Sequence, residues 1–154
     1  MRPVKKERQP AITDLEQARA VLRHADATPA SPVTKLALRL LALTALRPGT
    51  LITTPWAELG DLDPETPIWQ VPAARMKLRL QYKDDGERDH LVPLPTQAID
   101  VIKALRRLTG RTPYLFPNQR HAHRPASENA IGYLLNRAGY QHRRATFSAV
   151  MNER

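Results

Sequence analysis

Cysteine is absent from the 154-residue sequence, which excludes a disulfide framework, a thiolate metal site and a cysteine nucleophile. No run of about 18 apolar residues occurs, so no stretch reads as a membrane-spanning helix. The opening MRPVKKERQP is basic, but no apolar segment follows it as a secretory signal would require. The P-loop, the dinucleotide fingerprint and the Gly-x-Ser-x-Gly elbow are missing as well. No internal repeat or low-complexity tract is present. The length suits one domain with a core of its own, and the expectation is a soluble, cytoplasmic protein.

Acid is scarce in one region only. Up to Ala74 there are nine basic and eight acidic residues, and from Arg75 to Asp100 five of each. From Val101 to Arg154 ten basic residues face two acidic ones, so this last third supplies +8 of the net +9. Such a field attracts polyanions, nucleic acid above all, although a solvated basic face has the same composition.

The chain punctuates itself clearly. Residues 1–10 read as a basic arm or linker remnant, and 11–154 as the domain. Thr13 followed by Glu16 has capping-box spacing and opens a helix over Asp14–Ala25, with Leu15, Ala18, Val21 and Leu22 on one face. Ser31 and Pro32 start a second helix, apolar over most of its circumference and ending near Leu46. TLITTPWAEL continues as a short helix interrupted by Pro55. IWQVPA, RMKLRLQY and RDHLVPL read as three short strands, the last two joined by a hairpin at Asp85-Gly86. PTQAIDVIKALRRLTG is amphipathic, with Ala98, Ile99, Val101, Ile102, Leu105 and Leu108 as its buried stripe and Gly110 as its stop. Ser127 caps a further helix that stops at Gly139, and a last helix begins after Arg144.

Few residues gather into recognisable chemistry. His121 and His123 alternate in a polar loop without a partnering carboxylate cluster, and zinc wants three or four convergent ligands, so no metal site is expected. Asp84, Asp85 and Glu87 sit in a hairpin turn and read as solvated. What remains is a set of cations at element ends: Arg47, Lys77 and Arg144. Arg47 is the odd one, because LTALRPGTL runs an apolar helix straight into it. A buried guanidinium is costly unless an anion meets it. Cations placed by rigid elements suit phosphoryl transfer, which depends on positioning and on neutralising charge at phosphate oxygens. Each one taken singly could equally pair with a surface acid.

Four ordered segments resemble the tyrosine recombinases, the phage-type integrases. LTALRPGTL is similar to their first-arginine motif, T-G-x-R-x-G-E-L. VPAARMK followed by HLVPL resembles the strand segment in which a Met-Lys pair precedes a His-x-Val-Pro-Leu strand. LTGRTPYLFPNQRHAHRPASENAIGYLLNRAGY and RATFSAVMNE resemble the regions that follow. The resemblance implies a mainly helical α+β catalytic domain with a small three-stranded antiparallel sheet, here truncated at the C-terminus. It implies that Arg47, Lys77 and Arg144 meet the scissile phosphate of double-stranded DNA, with Lys77 as acid for the departing oxygen. It also implies a covalent phosphotyrosine pathway without metal or nucleotide cofactor, and other recombinase protomers as partners.

Departures from the pattern bear on function. Thr50 stands where the family has the glutamate that holds its first arginine. His142 lies two residues before Arg144 instead of three, and is either a remnant of the motif histidine or a loop residue. Tyr82, Tyr114, Tyr133 and Tyr140 are the only tyrosines, and none falls where the family places its nucleophile. Arg143 is expected behind the phosphate-contacting set, and Arg120, His123 and Arg124 on the DNA backbone from the charge of their loop. The expectation is a DNA-binding integrase fragment unable to cleave alone. The alternatives are a composite enzyme that takes its tyrosine in trans and a decayed remnant.

Overall fold

The elements follow from where the sequence can sustain a helix and where it must stop. The computed structural model describes residues 12, 14–60, 65–76 and 86–140, which form five helices and a two-stranded sheet. Helix α1 spans Leu15–Ala27, and the Asp14 carboxylate caps it by accepting the Gln17 N–H at 2.9 Å. The cap is thus Asp14, while Thr13 lies outside the described residues. Val21 and Ala25 form its buried face. Leu15 is 63% exposed, because the first turn projects past the core.

Helix α2, Pro32–Thr44, starts with proline in its first turn, where a missing N–H costs nothing. Ser31 precedes it without a side-chain capping bond. It packs against α1 and three helices that follow: α3 (Pro48–Ile52), α4 (Thr96–Thr109) and α5 (Ala130–Arg137). Its apolar circumference is therefore used on several sides. It ends at Thr44, two residues before Leu46, and its C-cap Ala45 has a left-handed φ of 56° and an N–H that bonds to Leu41 O at 3.0 Å. That conformation costs an alanine roughly 1 kcal/mol.

Trp56 follows Pro55 in a short 3-10 turn, Trp56–Leu59. Its Nε1 donates to Thr109 O at 3.0 Å, and the Arg106 guanidinium lies 4.4 Å over its ring, which fastens this turn to the end of α4. In α4 the expected stripe holds for Ala98, Val101, Ile102 and Leu105. Leu108 departs from it at 55% exposure, because no described residue covers the last turn on that side. Helix α5 begins at Ala130 with Asn129 in the cap position, and Ser127 Oγ accepts the Asn129 N–H at 3.2 Å. It closes as the sequence suggested. Gly139 takes φ +93°, and the Gly139 N–H to Asn136 O and Tyr140 N–H to Leu135 O bonds form a Schellman stop.

Strands β1 (Ile68–Val71) and β2 (His90–Pro93) pair antiparallel, with Trp69 opposite Val92 and Val71 opposite His90. Trp69, Val71 and Val92 face inward and join Leu38, Leu40, Leu105, Phe116 and Leu134 in one core. The expected middle strand falls mostly on residues 77–82, outside the described residues. Its first residue, Arg75, belongs to a 3-10 turn, Ala73–Arg75. The architecture is mainly helical with a small antiparallel sheet, and among the described residues no helix is long and apolar enough to cross a membrane.

The core position of α2 gives a direct test. Leu40 is fully buried and Leu108 is 55% exposed. Leu40→Ala should lose about 2–5 kcal/mol in urea unfolding, and Leu108→Ala less than about 0.5 kcal/mol. Equal losses would contradict the placement of the two leucines.

Candidate functional site

Arg47 does not enter the core. After α2 ends, the left-handed Ala45 reverses the chain, Leu46 turns inward and Arg47 emerges exposed at the N-cap of α3. The apolar pattern belongs to Leu46, which is 4% exposed. Arg47 makes no ion pair or side-chain hydrogen bond among the described residues, so its cation is available to a ligand. Thr50 is buried in α3 and supplies no carboxylate. An acid does approach from elsewhere: a Cβ on Gly49 would lie 3.2 Å from the Glu128 Cδ, so glycine at this position admits the Glu128 carboxyl group against the first turn of α3.

The basic loop lies near the far end of α3. Its base is closed by the paired Pro117 and Pro125, and by Asn118 N–H to Arg124 O at 2.8 Å. Asn118 Oδ1 accepts the N–H groups of Arg120 and His121 at 2.9 and 3.1 Å, fixing the turn from within. Arg120, His123 and Arg124 are exposed, and none forms an ion pair among the described residues. The His121 and His123 rings meet edge to face at 5.9 Å. No group of three or more potential metal ligands occurs among the described residues. Ile52 of α3 and Gln119 and Ala122 of the loop line one groove of ≈ 390 Å³, so the loop and the helix that carries Arg47 are neighbours. Lys77, His142, Arg143 and Arg144 lie outside the described residues.

The sequence did not single out the ion pair beside this helix. Arg75 Nη1 donates to Glu58 Oε2 and Nη2 to Thr50 O, with further reach to Thr53 Oγ1 at 3.3 Å and Thr54 Oγ1 at 3.2 Å. Trp69 Nε1 donates to the same Glu58 oxygen at 3.3 Å. The two side chains keep 19% and 12% of their accessibility. The available signal was a lone acid and a lone base, each inside an apolar stretch, since burial obliges such charges to pair.

Asp89 closes the base of the excursion that leaves from Arg75 and returns to β2. Its carboxylate accepts Ala73 N–H and Gln70 Nε2, both at 2.7 Å. The Ala73 bond first, and the Gln70 bond after it, hold its pKa below the usual value. A carboxyl whose pKa falls on folding adds stability above the unfolded-state value and loses it as pH drops through the folded one. Asp89→Asn should therefore be less stable than wild type at neutral pH, and the gap should shrink as pH falls below about 3.9. A gap independent of pH in thermal melts would contradict the assignment.

Comparison with known proteins now places the chain. No protein-family model matches it. Two solved structures share its fold. XerA recombinase gives a TM-score of 0.62 at 17% identity over 97% of this chain and 48% of that one. A lambda integrase dimer bound to a COC' core site gives 0.60 at 15% identity over 90% of this chain and 37% of that one. The fold is thus that of a recombinase domain. In sequence the chain is similar to IntB of Escherichia coli K12, 29% identical over 139 residues, which are 88% of this chain and 34% of that protein. The integrase of Enterobacteria phage P4 is 30% identical over 70% of this chain and 25% of its own length. Prophage integrase IntZ of E. coli K12 is 34% identical over 76% of this chain and 28% of its own. In fold and sequence the chain is similar to phage-type integrases of the tyrosine-recombinase kind, and it spans a quarter to a third of the length of the relatives it matches.

Proposed function

We propose that these 154 residues are the phosphate-gripping part of a site-specific recombinase: they bind duplex DNA and do not cleave it by themselves. The observation that carries this reading is Arg47. It is an exposed guanidinium without an ion pair among the described residues, at the N-cap of a helix whose far end neighbours a basic loop, in a chain similar to integrases. An arginine free of internal partners can give both arms of its fork to a phosphate. Arg120, His123 and Arg124 add attraction without base choice. Lys77 and Arg144 complete the set on the strength of their motifs, with Lys77 delivering a proton to the departing oxygen, and Arg143 and His142 stand behind them, His142 as a remnant of the motif histidine or as a loop residue. Tyr140 pairs its hydroxyl with His24 Nδ1 at 2.8 Å.

A labelled duplex titrated at several salt concentrations tests this. Affinity should fall steeply with salt, and Arg47→Ala should weaken binding at every salt and lower the salt slope by about one. No covalent protein–DNA product should form from these residues alone. Equal binding by wild type and Arg47→Ala would leave only a generic basic face. A covalent product would overturn the claim that they do not cleave.

A further inference from the structure

Helix α3 is five residues long, Pro48–Ile52, and carries Arg47 at its N-cap. So short a helix has no stability of its own in water, and its direction must be imposed from outside. Leu51 and Ile52 bury its last turn in the core, while in its first turn Pro48 lacks an N–H, Gly49 lacks a side chain, and the Glu128 carboxyl approaches without a hydrogen bond to the helix. The hydroxyls further on turn back on the helix itself: Thr53 Oγ1 donates to Gly49 O at 2.9 Å and Thr54 Oγ1 to Thr50 O at 3.2 Å. Among the described residues, the charged group that reaches α3 with hydrogen bonds is Arg75.

We infer that Arg75, held by Glu58, is a positioning residue for Arg47: it sets the direction of α3 and so the place of the phosphate-binding guanidinium. One nitrogen of its fork is held by Glu58 Oε2, and the other binds Thr50 O and touches the Thr53 and Thr54 hydroxyls. A cation at the last carbonyls of a helix is well placed electrostatically. Glu58 is fixed in turn by the Trp69 indole, and Trp69 is fully buried. The chain of contacts therefore runs from the core through Glu58 and Arg75 into α3, and ends three residues from Arg47. Lysine keeps the charge but is a point donor and does not span both acceptors. This inference rests on the reading of Arg47 as a phosphate contact.

Two measurements on wild type and Arg75→Lys decide it, with Glu58→Gln as a second variant. The first is amide exchange without DNA. Leu51 N–H bonds to Arg47 O and Thr53 N–H to Gly49 O, so both report on α3, while Gly110 N–H to Arg106 O reports on α4. Exchange at Leu51 and Thr53 should quicken about tenfold in either variant, with Gly110 within about twofold of wild type. A uniform rise, or none at α3, would make the pair a plain stabilising contact and overturn the inference.

The second is duplex binding in a double-mutant cycle. Arg47→Ala should weaken binding about tenfold in the wild-type background and less than about twofold once Arg75→Lys is present. Additive losses would show that Arg75 does not act through Arg47. If the wild type binds no duplex even at low salt, the phosphate reading fails, and the exchange result alone then decides whether Arg75 sets α3.

Discussion

One guanidinium stands where three stretches of chain meet, and the local structure depends on its being satisfied there. Arg75 leaves the turn after β1, Glu58 lies in the turn after α3, and Thr50 belongs to α3 itself, 25 residues from Arg75 in sequence. Taking these charges out of water costs several kcal/mol per ion, and the loss is recovered only if every polar group finds a partner. Here both fork nitrogens have acceptors, and the shared carboxylate oxygen takes the Trp69 indole as well. Such a pair adds modestly to net stability. Its larger effect is to exclude arrangements of α3, β1 and the Trp56 turn that would leave a buried charge alone.

Two arginines in this region are treated in opposite ways. Arg75 is drawn in and saturated, while Arg47 is turned out and left free among the described residues. The reversal depends on a backbone feature that residue type does not announce. Alanine seldom adopts positive φ, and nothing in LTALRPGTL says that Ala45 will do so. Because it does, Leu46 inherits the inward direction that periodicity assigns to the next residue. Read as a continuous helix, the same segment points Arg47 toward the core.

The sequence is most legible where local chemistry and burial agree. The Asp14–Leu15 boundary, Pro32 in a first turn, the β1 and β2 runs and the Gly139 stop are all written within a few residues of where they act. Periodicity also finds most of the α4 stripe, and fails at Leu108 because whether a last turn is covered depends on a neighbour distant in sequence. The same limit governs the site. Arg47 and the basic loop are visible as residues, the first through its motif and the second through its charge. Arg75, Glu58 and the approach of Glu128 to Gly49 are properties of the folded chain, since each joins segments that no short window contains together.

On the proposed reading, the exposure of Arg47 suits a phosphate held within a duplex. A free phosphate can be enclosed in a pocket, but a phosphate within a duplex keeps its neighbours and cannot be drawn into a closed cavity. The contacting cation must therefore stand at the surface, where a flexible side chain would spend much of its binding energy on being ordered. Anchoring its backbone at a helix N-cap removes part of that loss without consuming the guanidinium. Internal carboxylates near such a residue act as competitors as well as supports. Position 50 has none, and Glu128 approaches the helix backbone without pairing with the arginine. On the same reading the loop cations add long-range attraction that falls with salt. On that reading all of these groups are directed at phosphates, and choice of DNA sequence would come from other contacts.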